Sequence, residues 1–177
     1  RTAATIEGTA RNLDLAAKIV GALPLVENVA TLIDPPASTI RESDWTAEVL
    51  LTTRCQLLLD LHNLYANSVN FAFDPRGYID HLPLGQISPI HLARGRWIKS
   101  SSAERRLLDD HLYDVPPFVY ELLEYVGEVT SHSLTVILER DGRYPPMELL
   151  LGQLDFGRDA LRRGRMRRRA HKRSEAA

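Results

Sequence analysis

Short apolar runs separated by helical stretches recur along this chain, and each run ends in an acid or an imidazole. The runs at 24–27 (PLVE), 56–60 (QLLLD), 87–92 (ISPIHL) and 134–138 (LTVIL, followed at once by Glu139) are too short for helices and too apolar for surface loops. Such runs read as strands buried on both faces. Between them, helical spacing of Ala, Ile, Leu and Val covers about 2–20, and Ser43 or Asp44 can cap a helix over about 45–54. Asp74 followed by Pro75 opens a helix over 74–82, Pro116-Pro117 opens another over FVYELLEYV, and Pro145-Pro146 a last one through MELLLGQL. Strands alternating with helices give a parallel sheet with helical crossovers, the α/β class.

The polar residues at the run ends keep a rhythm. Glu27, Asp60 and His91 are 33 and 31 positions apart, close to the roughly 30 residues of one strand-helix-strand unit. Between His91 and Glu139 lie 48 positions, room for one further unit whose strand would end near 107–111, where Asp109 and His111 sit. In a (β/α)8 barrel of the TIM type, every strand's C-terminal end opens on the same mouth, and sites are assembled there from several strands. The spacing therefore predicts that Glu27, Asp60, His91, Asp109, His111 and Glu139 converge. Carboxylates gathered in a closed mouth repel one another and are driven toward protonation unless a cation joins them. The donor set mixes carboxylate oxygen and imidazole nitrogen with no thiolate, which suits iron, manganese or catalytic zinc, and its excess of acids points to two or more ions.

Each residue also has a plainer reading. Glu27 could cap a turn, His91 could be a hydrogen-bonded core histidine, Asp109 and His111 could open a polar loop, with Asp110 the ligand instead, and Glu139 could pair with Arg140 or Arg143. Asp60 is the hardest to explain without an ion, because an unpaired carboxylate at the end of an all-Leu strand costs several kcal/mol to bury. His62 is one further candidate ligand, and Tyr65 and Asn67 lie within reach of a substrate, although core packing is the better reading of Tyr65. His81, His132 and His171 read as surface or packing residues, and Cys55 as a small buried hydrophobe.

Composition limits the remaining options. The 177 residues, 44% apolar and 25% charged, suit a folded domain, and no run of about 18 apolar residues predicts a membrane span. One cysteine excludes a disulfide scaffold, and no charged-then-apolar signal segment opens the chain, so a cytoplasmic location is expected. Residues 1–157 carry 13 Lys/Arg against 21 Asp/Glu, and residues 158–177 carry 9 against 2. The acidic body fits a carboxylate-rich cation site and argues against a nucleic-acid surface. The expected division is a partial barrel over 1–157 and a basic, disordered tail over 158–177.

The segment CQLLLDLHNLYANSVNFAFDPRGYIDHLPLGQISPIHLA at 55–93 resembles the central signature of the multinuclear non-haem iron-dependent oxidative enzymes, the family that includes the methanobactin-biosynthesis oxidase. LVEN at 25–28, Asp109-Asp110-His111 followed by DVPPFVYELL, and TVILERD at 135–141 with PPMELLL resemble its other blocks in the same order, from about residue 2 to 155. The resemblance implies a (β/α)8 barrel holding two or three iron ions. Glu27, Asp60, His91, Asp109, His111 and Glu139 match the family's ligands, with catalysis centred on Asp60, His91 and Glu139. It further implies that dioxygen is co-substrate, that a cysteine or neighbouring residue of a ribosomally made precursor peptide is oxidised, and that a partner protein can present the peptide.

The chain departs from that pattern. The family barrel has about 250 residues or more, and its first strands supply two histidine ligands without counterpart here, so an N-terminally truncated barrel lacking about three strands is expected. His62 stands where Asn is usual, Arg94-Gly95-Arg96 replaces a Gly-rich turn, and Arg140 stands where an aromatic is common. Arg140 is expected either to weaken metal binding or to pair with Glu139. Two other functions remain open at this point: a divalent-metal isomerase or hydrolase on a similar barrel, and a noncatalytic relative that binds a partner.

Overall fold

A computed structural model describes residues 1–99 and 105–175. Four strands, β1 (Val26–Glu27), β2 (Leu57–Asp60), β3 (Ile87–Leu92) and β6 (Val136–Leu138), form one parallel sheet in the order β1-β2-β3-β6. They coincide with the four apolar runs. The helices are α1 (Ala3–Val20), α2 (Glu42–Thr53), α3 (Leu61–Phe71), α4 (Pro75–His81), α5 (Pro117–Val129) and α6 (Met147–Glu175), with a 3-10 turn at Leu84–Gln86. Leu57, Leu59, Ile87, Ile90 and Leu92 of the sheet are fully buried with Leu61 and Leu64 of α3, Ile79 of α4 and Val119, Leu123 and Val126 of α5. The apolar runs are continuous because both sheet faces are covered.

Local chemistry sets the helix ends. Thr2 and Thr5 form a reciprocal cap on α1, and Asp74 accepts from the backbone of Arg76 and Gly77 ahead of α4, with Pro75 in its first turn. Helix α2 starts at Glu42, before the expected Ser43 or Asp44 cap, so those two residues lie within its first turn.

The expected parallel strand ending near 107–111 is not part of the sheet. Strands β4 (Arg96–Lys99) and β5 (Arg105–Leu108) pair antiparallel, Trp97 opposite Leu107, as a separate two-stranded ribbon. Half the residues of RWIK and RRLL are charged, and of the eight only Leu107 is fully buried, so they do not suit a strand covered on both faces, whereas an exposed hairpin accommodates them. Gly95 lies where β5 leaves the ribbon: a Cβ there would stand 1.7 Å from the Leu108 carbonyl oxygen and 2.8 Å from His62 Cε1.

The basic tail is helical through Glu175 rather than disordered, as an extension of α6. Two of its cations lie against α5: Arg163 and Arg167 each approach Glu124 at 2.6 Å, while the His171 ring lies 3.4 Å from Glu128. Gly164 allows this closeness, since a Cβ there would meet the Glu124 carbonyl oxygen at 2.0 Å. Glu124 is thus paired with two arginines across the α5–α6 contact.

Helix α3 follows β2 without a loop, and its buried face is amide-rich. Asn67 accepts from the Thr31 backbone at 2.9 Å and donates to the Val29 carbonyl at 3.0 Å. Asn70 does the same for Leu107 at 2.9 and 3.0 Å, which ties the hairpin to the helix. Backbone groups of two loops are thereby satisfied by side chains.

Candidate metal centre

The C-terminal ends of the four parallel strands lie side by side. Asp60 is in register with His91, and Glu139 follows β6 with its backbone N–H donating to the Leu92 carbonyl at 2.9 Å. Asn28, directly after Glu27, extends the β1–β2 pairing through its side chain, donating to the Asp60 carbonyl and accepting from the Asp60 N–H at 2.9 Å each. Asn63 donates to the Asn28 carbonyl at 3.1 Å. These amides hold Glu27 and Asp60 at one level.

Donor atoms of Glu27, Asp60, His91 and Glu139 all lie within 4.8 Å of one another. His91 Nδ1 is 2.8 Å from Glu139 Oε2 and 3.7 Å from Glu27 Oε1. Although β5 is not in the sheet, the loop after it brings Asp109 and His111 beside His62, a second group whose donor atoms lie within 4.8 Å of one another. His111 Nε2 lies 2.5 Å from Asp109 Oδ1, and His111 Nδ1 lies 3.4 Å from Glu139 Oε2. Glu139 therefore stands between the two groups. Asp141, which the sequence reading did not single out, joins His111 and Glu139 in a third grouping, with Oδ2 3.5 Å from His111 Nδ1.

Asp60 is fully buried. As N-cap of α3 it accepts from the Asn63 N–H through Oδ1 at 2.7 Å, while Oδ2 is buried with no hydrogen-bond partner. Burial, reinforced by the Asp109 and Glu139 carboxylates, pushes its carboxyl up to about 7 against the Asn63 N–H. Burial likewise raises Glu27. Burial would also raise Asp109, but the hydrogen bonds and charges of His111 and His62 outweigh it and bring it down to about 2. For His111 burial opposes the charge, yet Asp109, then Glu139 and Asp60, lift it to about 9. A protonated His111 supplies here the positive charge that the carboxylates require.

The donor chemistry fits a hard or borderline cation. Oxygen and nitrogen donors converge, no thiolate is among them, and within the four-residue group Asp60 Oδ2 is buried without a hydrogen-bond partner. The other candidates are accounted for by different contacts. Asp110 is held by Arg96 Nε at 2.9 Å, leaving Asp109 in the cluster. Arg140 does not pair with Glu139: it reaches Asp114 at 3.2 Å and the carbonyls of Gly142 and Arg143 at 2.8 and 2.6 Å. Tyr65 stacks on Phe118 with centroids 3.6 Å apart, and Asn67 is buried against the Val29–Thr31 loop, so neither is free to meet a substrate. His81, His132 and His171 bond Gly77, Ile87 and Glu128 respectively, outside the cluster, and Cys55 is a buried free thiol.

A family model described as RiPP precursor modification enzyme MbnB/TglH/ChrH matches residues 1–161. The chain belongs to this family. Its relatives include a UPF0276 protein of Bordetella bronchiseptica, 35% identical over 161 residues, covering 91% of this chain and 55% of the relative. A UPF0276 protein of Caulobacter vibrioides is 31% identical over 154 residues, covering 87% and 53%. One of Acinetobacter baylyi is 33% identical over 153 residues, covering 86% and 51%. The chain spans about half the length of these curated relatives. The matched region takes in both donor groups, so the family assignment and the cluster concern the same residues. Among the described residues no helix is long and apolar enough to cross a membrane.

Proposed function

We propose that this chain carries the metal-binding part of an enzyme that uses two or three iron ions and dioxygen to oxidise a cysteine, or a residue beside it, in a ribosomally made precursor peptide. The observation that carries the reading is Asp60: one oxygen caps a helix, and the other is buried without a partner beside Glu27, His91 and Glu139. An unsatisfied carboxylate oxygen in a dry site costs several kcal/mol unless a cation meets it. Family membership supports the peptide as substrate class. In this reading Glu27, Asp60, His91 and Glu139 hold one ion, and Asp109 and His111 hold another with Glu139 between them. Asp60, His91 and Glu139 are the residues on which catalysis depends.

Bound iron would supply the electron transfer to dioxygen that none of these side chains can perform. The chain's own residues prepare the site. Asp60 and His111 give up their protons as they become ligands, Asn28 and Asn63 hold the ends of β1 and β2 in line, and the Leu side chains of β2 keep water from Asp60. The four-stranded sheet is read as a sector of a (β/α)8 barrel, supported by parallel strands whose C-terminal ends carry the donors. The free, buried Cys55 fits a cytoplasmic site of action, and a partner protein would present the peptide.

The test is to load the protein with ferrous iron without oxygen, add a peptide co-encoded with it, admit air and follow the peptide by mass spectrometry. An oxidative mass change that requires iron supports the proposal. An unaltered peptide beside iron-loaded protein contradicts the substrate class, and a protein that retains zinc or magnesium but no iron favours an isomerase or hydrolase.

A further inference from the structure

His62 lies in the first turn of α3, two residues after Asp60, and has no exposed surface. We infer that His62 is not a metal ligand but a positioning residue: it locks the Asp109 carboxylate toward the second ion site and fastens the hairpin to the strand end that carries Asp60. The inference rests on the metal reading above for the identity of what Asp109 faces, but its hydrogen-bond geometry stands without it.

The Gly95 backbone N–H donates to His62 Nε2 at 2.8 Å. A backbone N–H can only donate, so Nε2 must accept and carries no proton. The proton of the neutral ring is then on Nδ1, which donates to Asp109 Oδ1 at 3.0 Å. Both ring nitrogens are spent, and neither lone pair is free for an ion. This is the arrangement by which a second layer of residues fixes the direction of a ligand.

The contact is built into the fold on three sides. Gly95 approaches so closely that a Cβ would sit 2.8 Å from His62 Cε1, so the turn into β4 is shaped around this ring. The His111 ring stands edge-on to His62 with centroids 6.5 Å apart, and both imidazoles bear on the same Asp109 oxygen, Oδ1. Neither imidazole contact falls on Asp109 Oδ2. Arg96, which follows Gly95, is engaged by Asp110. Because Asp60 and His62 share one helix turn, a single rigid segment sets a ligand of the first group and the anchor of a ligand of the second.

The experiment compares the full chain with His62→Phe, which keeps a ring but removes both bonds, and with His62→Gln, which retains one donor and one acceptor. Metal-free proteins are titrated anaerobically with Co(II), followed by visible absorption and by metal content, and their folding is checked by circular dichroism. The wild type should bind in two steps. His62→Phe should weaken one step by roughly 10- to 100-fold and leave the other unchanged, and His62→Gln should recover most of the loss. Two unchanged steps in folded His62→Phe, or equal loss in both, would overturn the inference. Long-range 15N–1H correlation on the metal-free wild type supplies an independent arm: an Nδ1-protonated His62 is expected, and an Nε2-protonated ring overturns the assignment. If the wild type binds no Co(II) while His62 shows the expected tautomer, the metal reading fails and the hydrogen-bond relay to Asp109 survives; the positioning of an ion ligand is then refuted.

Discussion

Replacing Asp60 with Asn should make the metal-free protein more stable and the metal-bound protein less so. The Asp60 carboxyl titrates near its ordinary 3.8 in the unfolded chain and is pushed up to about 7 in the folded one. An acid whose folded value is raised contributes full stability below the unfolded value and loses it as pH climbs to the folded one. The span from 3.8 to about 7, at about 1.4 kcal/mol per tenfold, amounts to about 4 kcal/mol of destabilisation at pH 8. Asp60 is fully buried, so solvent screening removes little of this. Asn keeps the cap on the Asn63 N–H and presents an amide instead of a charge to Glu27 and Glu139. Urea unfolding of chelator-treated proteins at pH 4 and pH 8 measures the effect. Asp60→Asn should exceed wild type by about 2–4 kcal/mol at pH 8, with the gap closing near pH 4. Added Fe(II) should then stabilise wild type and leave Asp60→Asn nearly unmoved. A variant no more stable than wild type at pH 8 would refute the argument that this carboxylate is held at a cost for the sake of an ion.

Other consequences can be checked in the same material. Gly95→Ala should cost about 3 kcal/mol or more in thermal or urea unfolding, because the new methyl group meets a backbone oxygen that cannot move aside. Replacing both Arg163 and Arg167 with Ala leaves buried Glu124 without its cations, and the expected loss is about 2–4 kcal/mol, partly recovered by adding Glu124→Gln; a freely solvated tail would give no change. Metal binding at pH 7 should release about one to two protons per chain, since His111 titrates at about 9 and Asp60 at about 7 before the ion arrives. Calorimetry in buffers of different ionisation enthalpy reads that number, and binding without proton release would contradict both assignments.

The sheet was legible because its strands are apolar on both faces and end in polar residues at a regular interval. Period and chemistry pointed to the same four segments. The convergence of donors was legible where a polar residue stands at or next to a strand's end, as with Glu27, Asp60 and His91. Asp109 and His111 do lie beside the other donors, but they reach them from the end of an antiparallel ribbon, RWIK and RRLL, half of whose residues are charged, and not from a buried parallel strand. Helix α3 went unassigned because its buried face holds His62, Asn63, Asn67 and Asn70, whose amides and ring satisfy backbone groups of other segments. Leu61, Leu64 and Tyr65 keep helical spacing for one turn only, and the repeated Asn at 63, 67 and 70 is the further trace of the helix in the sequence. The helical tail was missed because its cations are neutralised by Glu124 and Glu128, which lie far away in sequence. Asp141 and Asn28 each adjoin a recognised block, and only their distances reveal their part.

Anomalous diffraction at the iron K edge, from crystals loaded with ferrous iron under anaerobic conditions, tests the central claim most directly. The account predicts separate peaks within coordination distance of Asp60, His91 and Glu139 and of Asp109 and His111, with Glu139 between them. Iron-loaded crystals with no peak at these residues, or with the Asp60, His91 and Glu139 side chains turned away from one another, would contradict it.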